Sequence, residues 1–282
     1  MKLFRHIIFT ISCVLAISCS KETLQNSEAA LETVKYGVSL DAQTRTLGNG
    51  RTASHVWYAL YRTNGDLVSE CAMPAKIDVD GKAICPVTMA KGQNYKIVFV
   101  AMYYTVSDET KTPAYAIDAQ SKTLYMPTQA LANSDEYDLF YGVDQVVNFQ
   151  GAQSTNVQLD RKVAQVNFEM SESAWNAANI TSRADCRSSI TLSGVPETMN
   201  LLTGQLAESK TDAAYAINSI ESTTGSRRIG TAYCLAPTEE QTAATVSATI
   251  DFYKDGSDSN PATTSVSRVQ IVANKKTNLI IN

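Results

Sequence analysis

Few side chains in this sequence can be combined into a catalytic set. His55 is the only histidine beyond the N-terminal segment, so a Ser-His-Asp or Cys-His arrangement could use no other histidine. No nucleophile motif surrounds His55, and a lone histidine is more often structural. The carboxylates of Asp135-Glu136 are adjacent along the chain, which favours solvated side chains over a shared acid–base site. The sequence therefore predicts that the protein is not an enzyme and needs no cofactor.

Two acidic segments have the beginning of a calcium-binding loop. Such loops place several oxygen ligands at alternating positions and end on a distal glutamate. Asp78–Gly81 and Asp255–Asp258 supply the first oxygens, but neither continues to that glutamate. Asp80-Gly81 is also the expected turn of a β-hairpin. We therefore expect no metal site.

The N-terminus has the features of an export signal. Lys2 and Arg5 precede an apolar run, Ile7–Ile17, which is too short for a membrane span of about 20 residues. Residues 15–19, Leu-Ala-Ile-Ser-Cys, resemble the bacterial lipobox, in which the cysteine is lipidated and becomes the new N-terminus. We predict a signal peptide over residues 1–18 and lipidation of Cys19. The alternative is an ordinary signal peptide that happens to contain cysteine.

The charge after cleavage argues against nucleic acid as a partner. Removal of Lys2 and Arg5 leaves 22 of the 24 basic residues against 28 acidic ones, a net charge of −6. Such a surface repels phosphate backbones, and no basic stripe offsets it. Lipid would provide the membrane attachment, and Ser20-Lys21-Glu22 resembles a signal for the outer face of the outer membrane. The predicted location is the cell surface.

Four cysteines remain in the mature chain. An even number in an oxidising compartment makes disulfides an option, and two fall in each half of the chain. We favour the pairs Cys71–Cys85 and Cys186–Cys234. Free buried thiols are the alternative. Metal binding is less favoured, because none of the four belongs to a Cys-x-x-Cys pair.

The mature chain begins with a strand that a long loop separates from the rest. Residues 19–31 are polar and predict a flexible tether. Thr33–Leu40 alternates apolar and polar residues as a half-buried strand does. Asp41–Ser54 has no apolar periodicity and carries turn formers together with Arg45 and Arg51. The sequence therefore predicts an exposed loop and a separable first strand.

The rest of the sequence predicts an all-β protein. Asn64-Gly65 lies between apolar runs and predicts a hairpin. Tyr95–Tyr104 is almost continuously apolar, which predicts a central strand covered on both faces. Apolar segments recur about every ten residues, with one short helix over Ser173–Ala178. About 264 mature residues fit two β-sandwich domains, 32–156 and 157–282.

Tyrosine is concentrated in the first half. Ten of the 13 tyrosines lie between positions 36 and 141. Flat rings on strands can form a platform that stacks against sugars. More often such rings fill the core and its rim, with the hydroxyl reaching water. Both interpretations stay open from the sequence.

The stretch between the two halves changes the face that it buries. Its apolar residues move from odd to even positions: Val157, Leu159 and Val163, then Ala164, Val166, Phe168 and Met170. In a strand, this change indicates a β-bulge at Val163-Ala164 or a passage from one core to another. The same spacing also fits an amphipathic helix. Neighbouring apolar and turn-forming residues favour strand.

Two motifs in this sequence resemble those of a known family. A Leu-x-Arg-x-Val-Ala-x-Val segment occupies Leu159–Val166, and an Asn-x-x-Thr-Asn segment occupies Asn274–Asn278. With the lipobox, the separable strand and the arginine-containing loop, they resemble the fimbrillin family, the type V pilin-like proteins of Bacteroidales-type bacteria. The resemblance covers most of the mature chain. It implies two transthyretin-like β-sandwich domains and assembly into surface fimbriae.

The resemblance also implies a processing step. In that family a lipidated precursor is cleaved after an arginine, and the freed groove accepts a strand of a neighbouring fimbrial subunit. Arg45 and Arg51 are the matching positions. Physically, removal of Thr33–Leu40 would expose unpaired backbone and an apolar groove, and an added strand would cover both. The chain stops at Asn282, sooner after its closing motif than many relatives, so stalk, anchor and tip roles stay open.

Other functions also fit the sequence. The rival is a monomeric surface lipoprotein, an adhesin that binds a glycan or a host or bacterial surface protein through its tyrosine-rich face. In that case no cleavage is needed. A purely structural envelope protein is the third and weaker interpretation.

Overall fold

The computed structural model describes residues 30–40, 53–107, 110–127, 130–151, 155–180, 182–220, 227–238, 244–254, 256 and 259–282. The strands of the first part are β1 (Leu31–Leu40), β2 (His55–Arg62), β3 (Leu67–Glu70), β4 (Ala75–Lys76), β5 (Lys82–Ala90), β6 (Tyr95–Met102), β7 (Tyr104–Ser107), β8 (Thr110–Pro113), β9 (Ala116–Asp118), β10 (Thr123–Tyr125), β11 (Ala130–Leu131), β12 (Leu139–Val146) and β13 (Thr155–Arg161). Those of the second part are β14 (Val163–Met170), β15 (Arg187–Pro196), β16 (Thr198–Asn200), β17 (Lys210–Ser219), β18 (Arg228–Leu235), β19 (Ala244–Tyr253), β20 (Ala262–Ile271) and β21 (Lys276–Ile281).

Within the described residues, helical structure is limited to short pieces. The helix α1 (Glu172–Ala177) overlaps the predicted segment Ser173–Ala178 and starts one residue earlier. Its N-cap is Ser171, whose side chain accepts a hydrogen bond from the Ala174 amide. Single 3₁₀ turns occupy Asp135–Tyr137 and Arg183–Asp185. Within the described ranges, no helix has the length and apolar character needed to cross a membrane.

The first sandwich is formed by one sheet whose strand order is β3-β2-β6-β12-β13-β1-β5, with β4 beside the start of β2. Its two parts are joined through only two residue pairs between β12 and β13, Phe140↔Arg161 and Tyr141↔Asp160. Apolar side chains from both parts share one core: β1, β5 and β13 contribute to it from one side, and β2, β6 and β12 from the other. Two packed layers therefore form from one sheet.

The second sandwich repeats this topology in two sheets, β11-β17-β15-β19-β20 and β18-β14-β21. β14 is parallel to β21 and antiparallel to β18, as β1 is parallel to β13 and antiparallel to β5. The order β17-β15-β19-β20 likewise matches β3-β2-β6-β12. The two halves are thus equivalent in seven strands each. The all-β prediction of tandem β-sandwiches is confirmed.

The chain passes from the first sandwich to the second at Lys162. β13 pairs with β12 and β1, whereas β14 pairs with β18 and β21. This explains the change of parity: the strand leaves one core and enters another. The helical alternative for this stretch is wrong. The sheets therefore change six residues after the end of the predicted segment 32–156, and the domain limits themselves stay a prediction.

The outer face of β6 is also covered. Ile97, Phe99 and Ala101 lie in the core of the first sandwich, whereas Val98 and Val100 belong to a second apolar cluster that continues into the other sandwich. Residues of β7, β9, β10 and β11 contribute to that cover. The unbroken apolar sequence of β6 therefore reflects burial on both faces.

Candidate assembly groove

The separable strand predicted from the sequence is an interior strand of the first sandwich. β1 pairs antiparallel with β5 over nine residues, from Leu31↔Ala90 to Ser39↔Lys82. On its other edge it pairs parallel with β13, from Tyr36↔Thr155 to Leu40↔Leu159. Both strands would therefore lose a ladder of hydrogen bonds if β1 left.

One row of side chains attaches β1 to the core. Val34, Tyr36 and Val38 are buried, whereas Lys35 between them is exposed. The Tyr36 ring packs on Phe99 with 5.5 Å between centroids. Burial, followed by the nearby Asp144 carboxylate, raises the pKa of the Tyr36 hydroxyl well above its ordinary value. Such a neutral, buried ring is a large part of what holds the strand.

The strand β5 depends on β1. It stands at the end of the sheet, and β1 is its only hydrogen-bonded strand partner in the described part of the chain. Its ends have additional ties: the Asp78 amide donates to the Lys82 carbonyl, and the Ala90 amide donates to the Tyr95 hydroxyl at 3.1 Å. Its inward side chains, Ala83, Cys85, Val87 and Met89, are buried. Packing would therefore hold β5 in place when β1 is absent, but the backbone groups of β5 that face β1 would lose their hydrogen-bond partners.

A cleft adjoins the N-terminal half of β1. It has a volume of about 390 Å³ and is lined in part by Val34, Tyr36, Val146 and Phe149. The pairing with β13 begins only at Tyr36, so the residues of β1 before it have β5 as their sole strand neighbour among the described residues. Within the described structure, this end of β1 therefore has fewer strand hydrogen bonds than the other.

A buried ion pair fixes the junction of the two sandwiches. Arg161, the last residue of β13, donates to both carboxylate oxygens of Asp138 at 2.7 Å, and the side chains are 0% and 3% exposed. The guanidinium also lies 4.9 Å from the centre of the Phe140 ring and contacts Asn274 Oδ1 at 3.4 Å. Burial raises the pKa of the Asp138 carboxyl, and the Arg161 charge opposes that shift. The pair is bidentate, which fixes its geometry.

The two sequence motifs meet in space. The backbone N–H of Asn274 donates to the Val163 carbonyl, and the backbone N–H of Gln165 donates to the Lys275 carbonyl. Deeper in the core, Asn167 Nδ2 donates to Asn278 Oδ1 at 2.8 Å. Asn167 Oδ1 in turn accepts from Gln165 Nε2 and from Thr231 Oγ1 at 3.0 and 3.1 Å. The two motifs that carry the family resemblance are therefore hydrogen-bonded to each other, and together they join β14 to β21.

The processing and lipidation candidates fall elsewhere. Cys19, Arg45 and Arg51 lie outside the described residues, as does the predicted signal peptide. They stay predictions. In the sequence, the described residues that follow the Cys19 segment begin at Ala30, directly before β1. Those that follow the segment of Arg45 and Arg51 begin at Ala53, next to Ser54, whose Oγ accepts a hydrogen bond from the Tyr104 backbone amide.

All four described cysteines have free thiols. Burial raises the pKa of the Cys85 and Cys234 thiols to about 12, with the Cys71 charge adding to the shift at Cys85. Cys71 Sγ accepts a hydrogen bond from the Tyr58 amide at 3.4 Å. Cys186 lies directly before β15, and its sulfur contacts the Lys254 carbonyl oxygen. The pairings Cys71–Cys85 and Cys186–Cys234 stay predictions.

His55 has a structural environment. It is buried, its Nδ1 lies 2.9 Å from Ser54 Oγ, and its ring packs edge-on against Tyr104.

The first acidic segment forms a hairpin turn. The carboxylate of Asp78 accepts hydrogen bonds from the Asp80 and Lys82 amides, as is usual for aspartate in a turn. No group of three or more histidine, cysteine, aspartate or glutamate side chains able to hold a metal occurs among the described residues. Most of the second acidic segment, 255–258, lies outside that part.

Most tyrosines are buried. Eight of them are core residues: Tyr36, Tyr61, Tyr95, Tyr104, Tyr115, Tyr141, Tyr215 and Tyr233. Several hydroxyls end on backbone carbonyls, such as Tyr61 on Ala119 and Tyr141 on Leu201. Tyr125, at 39%, is the tyrosine counted among the exposed large side chains. The concentration of tyrosine in the first half therefore serves packing, as the second interpretation of the sequence held.

Sequence reasoning missed two parts of this region. Nothing in the acidic segment that contains Asp138 distinguishes it from its neighbours, and only its contact with Arg161 identifies it as the buried ion-pair partner. The dependence of β5 on β1 was invisible because strand order is not written in the local pattern. The sequence did offer a signal for the ion pair, because an arginine in a buried strand, such as Arg161, requires an acidic partner.

Solved structures with a similar fold come from surface proteins. A protein of Bacteroides thetaiotaomicron VPI-5482 described as a candidate polysaccharide-binding protein (DUF1812) is 12% identical, with a TM-score of 0.50, and the match covers 84% of this chain and 81% of that one. A candidate adhesin of Bacteroides ovatus is 10% identical, with a TM-score of 0.49 over 84% and 76% of the chains. The fimbrial anchor protein Mfa2 of Porphyromonas gingivalis is 12% identical, with a TM-score of 0.45 over 88% and 90%. Two of these three structures are described as an adhesin and a fimbrial protein, which is consistent with the fimbrillin-like family that the sequence resembles.

The family assignment comes from the sequence. No curated protein sequence matches the chain. A family model matches residues 24–280, which is nearly all of it. The chain therefore belongs to the DUF6562 family, a family of unknown function.

Proposed function

We propose that the protein is a subunit of cell-surface fimbriae, exported as a Cys19 lipoprotein and assembled by β-strand addition. The observation that carries the proposal is the position of β1, an interior strand that is paired on both edges. The predicted loop that contains Arg45 and Arg51 separates it from β2 in the sequence. Cleavage in that loop leaves β1 attached to the body by non-covalent contacts alone.

The physical consequence favours a partner. A body without β1 exposes two strand edges and the apolar wall that Val34, Tyr36 and Val38 covered. An extended segment of another subunit restores both ladders. Each subunit would then fill one groove and offer one strand, which is a heterologous contact and generates a fibre.

The test is controlled cleavage. The purified chain is treated with an arginine-specific protease, with and without partner subunits, and examined for ladders that resist mild detergent. A chain carrying both Arg45→Gln and Arg51→Gln is the control and should stay monomeric. Release of β1 that leaves only monomers, even with partner subunits present, would overturn the proposal.

Lipid anchoring is tested separately. We expect metabolic labelling with a fatty-acid analogue to be lost in Cys19→Ala and kept in Cys13→Ala. Label retained in Cys19→Ala would remove the lipoprotein part of the proposal and leave the strand-addition part standing.

A monomeric adhesin is the second candidate. A hollow on the second sandwich has a volume of about 600 Å³, a size that suits a small ligand. It is lined by Leu131, Tyr137 and residues of β15 and β17, among them Ile190 and Tyr215. The similar Bacteroides thetaiotaomicron protein is described as a candidate polysaccharide binder. Glycan-array binding that is lost in Tyr137→Ala, with no cleavage of the chain, would favour this candidate.

A further inference from the structure

We infer that the strand which fills the β1 groove carries an aromatic residue followed by glycine, with apolar residues two positions before and after the aromatic residue. The inference rests on the proposed function and names the partner of the same groove. It is derived from the burial and the contacts of Val34, Tyr36, Gly37 and Val38 in β1.

The direction of the incoming strand is fixed by the two walls. β13 accepts β1 in the parallel sense, and β5 accepts it in the antiparallel sense. A strand of the opposite direction would change the ladder geometry at both walls. It must also cover β5, whose only strand partner in the described chain is β1. The donor therefore runs as β1 does.

The aromatic position follows from the core. Tyr36 is among the largest side chains that are almost fully buried in the protein. Its ring packs on Phe99, and the Asp144 carboxylate lies near its hydroxyl. A smaller residue at this place leaves a void in the centre of the groove, because the surrounding strands are held by their own ladders.

The glycine position follows from β13. A Cβ added to Gly37 would lie well inside the contact distance of Asn156 Oδ1, the residue directly across the parallel ladder. Asn156 is exposed and its side chain can turn away, so a small residue is a lesser requirement than the ring. A β-branched residue at this position asks for a larger shift.

Few segments of this chain meet the pattern. The sequence has one other Tyr-Gly pair, Tyr141-Gly142, which lies in the central strand β12 and is fully committed there. The closing strand β21 has neither an aromatic residue nor glycine. β21 of a second copy therefore does not meet the pattern, and the occupant is a strand of another subunit that does.

The experiment uses the full chain cleaved in its 41–54 loop and fluorescent peptides of the sequence Leu31–Leu40, with binding measured by anisotropy. The unmodified peptide should enter the groove. The Tyr36→Ala peptide should bind at least about 100-fold more weakly, which is about 2.7 kcal/mol. Gly37→Val should weaken binding about 10-fold, and Lys35→Ala, which changes an exposed side chain, should stay within about 3-fold.

The outcomes separate two failures. If the unmodified and Tyr36→Ala peptides enter equally well, the sequence requirement is wrong while strand exchange stands. If no peptide enters a cleaved body that remains folded by circular dichroism, the exchange itself fails and the requirement falls with it. A β21 peptide, Lys276–Ile281, that binds as tightly as the unmodified peptide would also overturn the inference.

Discussion

The strands β1 and β14 occupy the same place in the two sandwiches but are held very differently. Each is parallel to the last strand of its half and antiparallel to one other neighbour. β1 buries one alternating row of side chains. β14 buries six successive residues, Val163–Phe168, and so has both faces covered.

The comparison shows which structural features make a strand separable. β14 continues from β13 through the single residue Lys162, and its interior amides bond to neighbouring strands. β1 is held mainly by its buried row of side chains, with the Tyr36 hydroxyl near the Asp144 carboxylate, and residues 41–52 follow it in the sequence. The same topological position can therefore hold a permanent strand or a replaceable one, and burial of the second face makes the difference.

The two halves also differ at their closing hairpins. β12 and β13 hydrogen-bond to each other, whereas β20 and β21, their equivalents, belong to separate sheets in the described structure. The first half is therefore a continuous sheet around β1. A continuous sheet keeps the walls of a groove in register when one strand changes.

The largest expected effect is on hydrogen exchange after the loop is cut. Amides of β1 and β5 should exchange at least ~100-fold faster than before cleavage, because their shared ladder can open locally, while β14 and β18 should keep their protection. Mass spectrometry of peptides from both regions measures this. Equal protection of β1 and β14 in the cleaved chain would break the comparison.

Next in size is the loss of the buried ion pair. Arg161→Ala leaves the Asp138 carboxylate buried without its charge partner, and we expect a loss of about 3–5 kcal/mol in the free energy of unfolding. Denaturant unfolding measures it. The matched double variant Arg161→Met with Asp138→Leu should lose much less. A single variant that is as stable as the unchanged chain would show that the junction does not depend on this pair.

The amide network of β14 gives a smaller effect. Asn167→Ala removes the acceptor for Thr231 and the donor for Asn278, and leaving such buried groups unsatisfied costs about 1–3 kcal/mol. The control Lys35→Ala in β1 lies on an exposed face and should change stability by less than ~0.5 kcal/mol. If both substitutions cost the same, the contrast between a polar-anchored β14 and a β1 held by packing fails.

The smallest effect concerns a surface contact of β1. Lys91 Nζ lies 3.1 Å from Glu32 Oε2, and both side chains are partly exposed. Such pairs contribute about 0–1 kcal/mol, so Lys91→Ala should leave the free energy of unfolding nearly unchanged and its salt dependence slightly reduced. A loss above ~2 kcal/mol would mean that electrostatics at the rim, and not the buried row, holds β1.

The sequence by itself determined the β class, the alternating pattern of β1 and the double burial of β6. These follow from side-chain period, which is a local property: every second residue of a strand faces the same side. The parity change near Lys162 could likewise be read locally, although the choice between a bulge and a change of core could not.

Only the tertiary structure decided which strands are neighbours, because pairing partners lie far apart in the chain and period-two patterns do not name them. It showed that β1 is the one strand partner of β5 among the described residues, that Asp138 is the partner of Arg161, and that most tyrosines are core residues rather than a surface platform. It also revealed that β1 and β14 are equivalent, which their sequences, Leu31–Leu40 and Val163–Met170, do not disclose. Burial of the second face depends on what the rest of the chain places there, and that is decided by the fold.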